Sequence, residues 1–440
     1  MICFNAIFDI APRRSPLTTL AKLPFRAALK TTCSVFLFCA ATMFPAAGQT
    51  FTSLVDFDGT NGGVPQYGSL IQGTDRNLYG VASLGGNLKL CNHYGCGTVF
   101  KMTPEGKLTT LHNFDFKDGW LAYGKLVQAT DGNFYGTTSG GGFSKCGGQG
   151  CGTVFKITPQ GALTTLYKFC SKTNCADGWV SIGGLIQSTD GNFYGTTVRG
   201  GAYDNGTVYK ITSAGKLTTL HSFCAQTNCP DGSKPAAALI QAKDGNFYGT
   251  TQLGGGSYRY GTIFKITPTG KLTTLHSFCS QNQQCPDGSL PIAGLVQATD
   301  GDFYGTDIGG GARSGGTVFR ITSAGKLTTL YSFCGQVGCP NSEQPYGTLI
   351  QATDGNFYGT TYYGGNGQQD FGTIFKITLA GKLTTLHKFE TVTGGQYPDA
   401  GLVQATNGTF FGTTSAGGTF TDCYGGGCGT IFMLAAGSSR

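Results

Sequence analysis

The chain has 440 residues, of which 73 are glycine and only 12% are charged, and its formal net charge is +7. The first 48 residues carry +4 of that charge, so the remaining +3 is too small and dispersed to indicate a nucleic-acid or anionic-membrane surface. Abundant glycine, threonine, tyrosine and phenylalanine favour strands joined by tight turns over helices.

The first 48 residues are typical of an export signal. Basic residues precede the apolar run at 33–44, and small residues follow at Ala46 and Gly48. The apolar run is shorter than the roughly 20 residues that a membrane-spanning helix needs. We therefore predict a signal peptide over 1–48 and a secreted or periplasmic mature protein over 49–440, with no membrane span after cleavage.

A repeat of about 55 residues fills the rest of the chain. The segment DGNFYGTT at 131–138 recurs with small changes, and the aromatic residue before its second glycine marks the period. The marker residues are Tyr79, Tyr135, Tyr194, Tyr248, Tyr304, Tyr358 and Phe411. Seven such units leave no room for a second domain.

Each unit contains four strand-like segments, labelled a to d in chain order. In the second unit they are predicted over 124–130, 134–138, 152–158 and 162–169. Asp131 and Gly132 form a hairpin turn signal between strands a and b. Gly136 inside strand b indicates the close approach of another backbone or a bulky side chain.

The two ends of the repeat region decide between a closed ring and an open stack. The segment FTSLVDF at 51–57 aligns with strand d, whereas the last unit stops after its strand c at 429–434. An open stack would instead need capping repeats at its ends. We predict an all-β fold, a seven-bladed β-propeller with four antiparallel strands per blade, whose last blade is closed by the N-terminal strand.

The repeated sequence resembles the GloVer tandem repeats of secreted bacterial proteins, through the successive segments LVQATDGNFYGTT, GTVFKIT and GKLTTL. It is more distantly similar to streptogramin-lyase-like and NHL-type propellers. The resemblance covers residues 51–436 and implies export and a propeller-like fold, with no common reaction. Many family members carry a C-terminal anchor, but this chain ends soon after strand c, so no surface anchoring is expected.

Fourteen cysteines follow the leader, and each has a partner five or six positions away. The pairs are Cys91/Cys96, Cys146/Cys151, Cys170/Cys175, Cys224/Cys229, Cys279/Cys285, Cys334/Cys339 and Cys423/Cys428. An even number in an exported chain predicts seven disulfides. Zinc would need pairs that meet as four ligands, whereas each pair is expected to stand alone on its blade, so no metal or cofactor is predicted.

Histidine and aspartate give little indication of catalysis. One repeated position of strand d holds His112, His221, His276 and His387, but also Tyr167, Tyr331 and Val55. The Asp-Gly pairs of the d–a loops, at Asp118, Asp177, Asp231 and Asp287, predict Asx-type turns rather than calcium sites. Only His93, Asp307 and Arg313 look individual.

The cysteine pairs all fall in b–c or d–a loops, which emerge on one face of a propeller, where binding usually occurs. Aromatic and basic residues that break the repeat lie in these loops at Trp120, Trp179, Arg199, Tyr203, Tyr258 and Arg259. Flat aromatic rings stack on sugars or peptide groups, and arginine supplies directional donors. Their alternative role is to fill gaps between loops and blades.

The sequence therefore predicts a secreted, monomeric, non-catalytic binding or scaffold propeller whose partner is an extracellular glycan or protein. A lyase-type enzyme is one alternative, but it would need an asymmetric polar cluster around the central channel, which seven near-identical blades do not indicate. A self-associating structural envelope protein is the other. No nucleic-acid partner is expected.

Overall fold

The computed structural model describes residues 49–280, 284–334, 343–364, 371–420, 423 and 426–435. The chain divides into two units, Met1–Ala46 and Ala47–Arg440. The first unit, and with it the predicted signal peptide, lies outside the described residues. Within them, no helix is long and apolar enough to cross a membrane.

The described residues form 28 strands in seven four-stranded antiparallel sheets. Blades 1 to 3 contain β2 (Ile71–Gln72), β3 (Leu78–Ala82), β4 (Thr98–Met102), β5 (Leu108–Asn113), β6 (Val127–Gln128), β7 (Phe134–Thr138), β8 (Thr153–Ile157), β9 (Leu163–Lys168), β10 (Ile186–Gln187), β11 (Phe193–Thr197), β12 (Thr207–Ile211) and β13 (Leu217–Ser222). Blades 4 and 5 contain β14 (Ile240–Gln241), β15 (Phe247–Thr251), β16 (Thr262–Ile266), β17 (Leu272–Ser277), β18 (Val296–Gln297), β19 (Phe303–Asp307), β20 (Thr317–Ile321) and β21 (Leu327–Ser332). Blades 6 and 7 contain β22 (Ile350–Gln351), β23 (Phe357–Thr361), β24 (Thr373–Ile377), β25 (Leu383–Lys388), β26 (Val403–Gln404), β27 (Phe410–Thr414), β28 (Thr430–Leu434) and β1 (Phe51–Asp56). Two short 3-10 helices lie at Cys91–His93 and Thr173–Cys175.

The N-terminal strand closes the ring, as predicted. β1 pairs antiparallel with β28, with Phe51 opposite Leu434 and Asp56 opposite Thr430. Phe57, which follows β1, is fully buried and packs edge-on against Phe100 of blade 1, with ring centroids 5.4 Å apart. The fold is therefore the predicted seven-bladed β-propeller, with blade 7 built from both ends of the repeat region.

Strand a is shorter than predicted, whereas strands b, c and d match within a residue at each end. In blade 2, strand a was expected over 124–130 but pairs only at Val127–Gln128. Before it, Gly124 packs on the next blade, so closely that an added Cβ would lie 2.8 Å from the Cα of Gly184. After it, the Ala129 N–H already donates to the Asn133 carbonyl in the hairpin turn. Inter-blade packing before strand a and the hairpin turn after it therefore limit the length of this innermost strand.

The hydrophobic core lies between neighbouring blades, where the marker aromatic residues of strand b stack on rings of the next blade. The Tyr135 ring stacks on Phe193 of the following blade at 4.1 Å between centroids. Equivalent stacks join Tyr79 to Phe134, Tyr194 to Phe247, Tyr248 to Phe303, Tyr304 to Phe357 and Tyr358 to Phe410. The close approach predicted at Gly136 is confirmed, since a Cβ there would lie 2.5 Å from Cζ of Phe155.

The a–b and c–d turns form one end of the propeller, which we call the turn face. There Asp131 Oδ2 accepts hydrogen bonds from the Tyr135 hydroxyl and Lys156 Nζ, both at 2.9 Å. The strand-a glutamines link neighbouring blades by accepting a backbone N–H from the preceding blade at 2.9–3.1 Å. The last link, from Thr406 to Gln72, joins blade 7 to blade 1. These glutamine links therefore run without a break around all seven blades, including the joint where β1 completes blade 7.

The b–c and d–a loops form the opposite end, which we call the loop face, and it carries the disulfides. Six of the predicted pairs are bonded, at Cys91–Cys96, Cys146–Cys151, Cys170–Cys175, Cys224–Cys229, Cys279–Cys285 and Cys423–Cys428. The predicted Cys334–Cys339 bridge falls partly outside the described residues. The expectation that each pair stands alone is wrong for one blade. Sulfurs of Cys146, Cys151 and Cys170 lie within 4.8 Å of one another, because the b–c and d–a loops of blade 2 pack side by side.

Candidate functional site

The Asp-Gly aspartates of the loop face bond to strand d and to their own loop. The carboxylates pair as His112–Asp118, Tyr167–Asp177, His221–Asp231 and His276–Asp287, at 2.7–2.9 Å. Asp231 also accepts the Cys224 backbone N–H at 3.1 Å. Burial acts to raise the pKa of Asp118, but hydrogen bonds from His112 and the Asp115 backbone outweigh it and lower that pKa. These pairs anchor the d–a loop to the outermost strand, which is a structural role.

Five of the predicted ligand residues lie in loops of the loop face, three on blade 3 and two on blade 4. Trp179 is half-buried, and its indole N–H donates to Asp204 Oδ1 at 3.2 Å. The guanidinium of Arg199 lies over the Trp179 ring, 5.4 Å from its centroid. Tyr203 and Tyr258 are 50% and 42% exposed, and Arg259 is exposed beside Tyr258. We call Trp179, Arg199, Tyr203, Tyr258 and Arg259 the rim platform.

Positive charge dominates this part of the loop face. Lys234 lies between the two blades, since its backbone N–H donates to the Asn205 carbonyl of the preceding loop at 2.9 Å. Burial, followed by the nearby charge of Arg199, lowers the pKa of the Lys234 ammonium group. Asp204 is the acidic partner of Arg199, at 3.8 Å. The two neighbouring cations therefore both lie close to the carboxylate of Asp204.

Trp120 does not belong to the rim platform, which corrects its predicted role as a ligand residue. Its side chain is only 6% exposed and packs against Phe116, with ring centroids 6.0 Å apart. It lies in the same buried cluster as Cys96, so it fills the gap between the loops of blades 1 and 2. This is the alternative role that the sequence left open. The indole N–H of Trp120 has no hydrogen-bond partner among the described residues.

The unrepeated residues His93, Asp307 and Arg313 are not brought together. His93 and Arg313 are exposed in the b–c loops of blades 1 and 5. Asp307 is fully buried at the end of β19, where it accepts hydrogen bonds from the Thr317 backbone N–H at 3.0 Å and the Thr317 hydroxyl at 2.6 Å. It replaces the threonine that makes this contact in other blades, as in the Thr138–Thr153 pair. Asp307 is therefore a satisfied structural group.

A second asymmetric site lies at the axis, at one position per blade just before strand a. The seven residues are Tyr67, Tyr123, Ile182, Ala236, Ile292, Tyr346 and Asp399. We call them the axial ring. The ring of Tyr67 lies 5.8 Å from that of Tyr123 and 6.2 Å from that of Tyr346, between centroids. Because Tyr67 and Tyr346 meet although blade 7 separates their blades, this position lies at the centre of the propeller.

Asp399 is the acidic member of the axial ring. It is 1% exposed, and its Oδ1 atom accepts the Tyr67 backbone N–H at 3.4 Å. Its Oδ2 atom has no hydrogen-bond partner among the described residues, and neither has the buried Oε1 atom of Gln66. Burial raises the pKa of Asp399 to about 7, which the hydrogen bond from the Tyr67 backbone and the nearby Ser415 hydroxyl only partly offset. A carboxyl group that titrates near neutral pH is a common mark of a functional site.

Tyrosines surround this carboxyl group. Tyr362 stacks on Tyr397 at 4.8 Å and lies 5.1 Å from Tyr346, between ring centroids. Burial raises the pKa of Tyr346 to about 12, with the nearby charges of Tyr363 and Asp399 adding to it. Tyr67 has a positive φ of 53°, a strained conformation for a bulky residue, because Gln66 is an extra residue in this unit. The repeat alignment could have shown that these positions vary between units, but not that their side chains meet.

Four overlapping matches to the Gloeobacter/Verrucomicrobia repeat cover residues 40–176, 91–290, 143–340 and 281–439. The chain belongs to this repeat family. The resemblance to GloVer repeats found in the sequence is thereby confirmed. A search of curated proteins found no significant match.

Among solved structures, this repeat protein is similar to the extracellular domain of a B. thetaiotaomicron protein described as a hybrid two-component system. The TM-score is 0.52 and the identity 13%, over 88% of this chain and 41% of that one. The chain therefore spans less than half the length of that neighbour, and at this identity the likeness shows the fold alone. It is also similar to a luciferin-regenerating enzyme, with a TM-score of 0.44 and 11% identity over 88% of this chain and 96% of that one. A gluconolactonase from Xanthomonas campestris gives 0.39 and 13%, over 64% and 78%.

The loop face of this repeat protein thus has two chemically different places. The rim platform combines half-exposed aromatic rings with an excess of cations. The axial ring combines tyrosines with a buried carboxyl group. Among the described residues, the only three cysteine, histidine or acidic groups close enough to share a metal ion are Cys146, Cys151 and Cys170, all of which are in disulfides.

Proposed function

We propose that this repeat protein is an exported, non-catalytic propeller that binds an extracellular carbohydrate through its rim platform. The observation that carries the proposal is the arrangement of Trp179, which is fixed by Asp204 at its N–H and by Arg199 over its ring. A ring that is already held in place loses little entropy when a sugar stacks on it. The exposed rings of Tyr203 and Tyr258 extend the surface on the same and the next blade.

Export is supported by the disulfides, because bridges of this kind persist in oxidising compartments and are rare in the cytosol. Twelve of the described cysteines are bonded in pairs. The leader at 1–48 has the composition of a signal peptide. A secreted or periplasmic location follows from both features and brings the platform into contact with extracellular glycans.

The charge of the platform favours an acidic saccharide. Arg199 and Arg259 of the platform, with the neighbouring Lys234, outnumber Asp204, and the Arg199 charge adds to burial in lowering the pKa of Lys234. A carboxylate between these two cations would relieve their repulsion and accept directional hydrogen bonds from arginine. Uronic-acid oligosaccharides have both the ring faces for stacking and the carboxylates for this contact.

The test is calorimetric titration of the mature protein with galacturonate oligomers and with neutral oligomers of the same length. We expect the acidic series to bind more tightly, and Trp179→Ala to weaken it at least about tenfold, which is roughly 1.4 kcal/mol. The melting temperature of this variant should stay close to that of the wild type, since Trp179 is only half-buried. Phe420→Ser is the matched control, because Phe420 is 47% exposed on the loop face of blade 7.

Unchanged binding by Trp179→Ala would contradict the rim platform. Equal loss in Trp179→Ala and Phe420→Ser would also contradict it, since a non-specific apolar effect would then be enough. Binding of peptides but of no saccharide would replace the carbohydrate with a protein partner.

A further inference from the structure

Two buried oxygen acceptors lie at the axis, one on Asp399 and one on Gln66, the residue before the Tyr67 N–H that binds Asp399. Oδ2 of Asp399 and Oε1 of Gln66 have no hydrogen-bond donor among the described residues. The residue after Gln66, Tyr67, donates its backbone N–H to the other oxygen of Asp399. A buried acceptor without a donor costs about 1–3 kcal/mol, and more when it is charged. Both acceptors therefore favour a ligand that carries hydrogen-bond donors.

Aromatic rings form the walls around these acceptors. Tyr67 and Tyr346 meet over blade 7 with centroids 6.2 Å apart, and Tyr362 lies 5.1 Å from Tyr346. Tyr67, Tyr346 and Tyr362 are each only half-buried, so their outer parts reach solvent while Asp399 beneath them does not. A cation within about 6 Å of an aromatic centroid is attracted to the ring face. The aromatic walls and the Asp399 carboxylate at the base of the site thus both favour a positively charged ligand.

We propose that Asp399, Gln66 and the rings of Tyr67, Tyr346 and Tyr362 form an axial binding site for a protonated primary amine. The ammonium group donates to Asp399 Oδ2 and to Gln66 Oε1, and its charge faces the tyrosine rings. The site is separate from the rim platform and does not depend on the proposed carbohydrate binding. The ligand is a small alkylamine or an amino group carried on a larger solute.

The donor set argues against a metal ion. Calcium takes six to eight oxygen ligands and magnesium six, whereas the two orphaned acceptors here belong to one carboxylate and one amide. A quaternary ammonium ion would gain the contact with the rings but could donate to neither oxygen. A neutral sugar would leave the buried carboxylate without a counter-charge. A primary ammonium group can donate to both oxygen acceptors and can place its positive charge against the tyrosine rings.

Binding should depend on pH through Asp399. The groups that face it are Tyr67, Tyr346 and Tyr362, whose pKa values are all raised by burial, so they stay neutral below about pH 9. Lys125 lies two blades away, on blade 2, and desolvation by the surrounding protein lowers its pKa. With the pKa of Asp399 near 7, affinity for the cation should fall up to about 100-fold from pH 8 to pH 5.

The test is titration of the mature protein with butylammonium, tetramethylammonium and butanol at a pH of about 8 and of about 5. We expect saturable binding of butylammonium at the higher pH, at least about tenfold tighter than tetramethylammonium, and no binding of butanol. Asp399→Asn should lose at least about tenfold in affinity. Asp307→Thr is the matched control, because Asp307 is also buried but fully bonded, and threonine is the residue at this position in other blades.

Several outcomes would overturn the proposal. One is no saturable binding of butylammonium up to about 50 mM. Others are equal binding of tetramethylammonium and butylammonium, or an equal loss in Asp399→Asn and Asp307→Thr. If Asp399→Asn fails to fold, the pH series on the wild-type protein and the ring variant Tyr346→Leu replace it. Amine affinity that is the same at both pH values and in that variant would also contradict the site. None of these results bears on saccharide binding, so the two proposals fail separately.

Discussion

The turn face and the loop face are built by the same seven units, but the units agree closely on one face and differ on the other. On the turn face, each strand-a glutamine accepts a backbone N–H from the preceding blade, and the link from Thr406 to Gln72 is the same as the rest. On the loop face, equivalent positions hold tyrosine, isoleucine, alanine or aspartate, as in the axial ring. One face closes the ring, and the other provides chemical variety.

The difference has a physical cause. A turn-face side chain must fit both its own blade and the next, so a change in one unit disturbs the contact of its neighbour. A loop can change in length or sequence without altering the strand pairing below it, which is why binding residues concentrate on loops. The disulfides fit this division, since the six described bridges all lie in loops of the loop face.

Removing the closing strand should have the largest effect on the molecule. Deletion of residues 51–57 leaves the edge of β28 unpaired and removes the buried Phe57. We expect a loss of more than about 5 kcal/mol and no cooperative thermal transition by circular dichroism. Re-attaching the same seven residues after Leu434, through a copy of the 103–107 turn, should restore the transition. A deletion variant that melts like the wild type would show that ring closure contributes little to stability.

Trp120 and Trp179 occupy equivalent positions in successive units but should respond differently to truncation. Trp120→Ala removes a buried indole, so we expect a cost of about 3–5 kcal/mol in the free energy of unfolding. Trp179→Ala removes a half-buried ring and should cost about 1 kcal/mol or less. Urea unfolding of both variants measures the two values. Equal costs would mean that Trp179 is also a packing residue and would weaken the case for the rim platform.

The buried carboxyl group of Asp399 should make stability depend on pH. Because its pKa is raised to about 7, the folded protein binds this proton more tightly than the unfolded chain does. Its contribution to stability is therefore full below a pH of about 4 and is lost as the pH rises through about 7. Asp399→Asn should be more stable than the wild type at a pH of about 8, by up to roughly 4 kcal/mol, and lose that advantage near pH 4.

Urea unfolding at both pH values checks this difference. Glu105→Gln is the control for net charge, since Glu105 is exposed in a turn. If the stability of Asp399→Asn parallels that of the wild type at every pH, the raised pKa does not belong to Asp399.

The glutamine ring should show the smallest effect and the same effect at every joint. Gln72→Ala removes the link between blades 7 and 1, and Gln241→Ala removes the link between blades 3 and 4. Besides this link, Gln72→Ala loses one hydrogen bond of the side-chain amide N–H₂ group and Gln241→Ala loses two. All lie at largely exposed sites, so we expect only about 1 kcal/mol from either change in urea unfolding. A clearly larger loss for Gln72→Ala would show that the closing joint is weaker than the others and that the turn face is not uniform.

The sequence by itself determined the architecture. The period of about 55 residues, the four strand-like segments in each unit and the split of one unit between 51–57 and 429–434 were sufficient to predict seven blades and their closure. The cysteine spacing predicted the bridges, because partners five or six residues apart can meet within a single loop. These features are local or repeated, so they can be identified without knowing which blades face each other.

The tertiary structure alone decided which unrepeated residues meet. Trp120 and Trp179 look equivalent in the sequence, but packing buries the first beside Phe116 and leaves the second beside Arg199. Asp399 and Tyr67 are 332 residues apart, and only ring closure brings the carboxyl group next to that backbone N–H. A short strand a and the extra residue Gln66 further shape the axis. Contacts between distant units depend on how the blades pack around the axis, and the pattern within one unit does not contain that information.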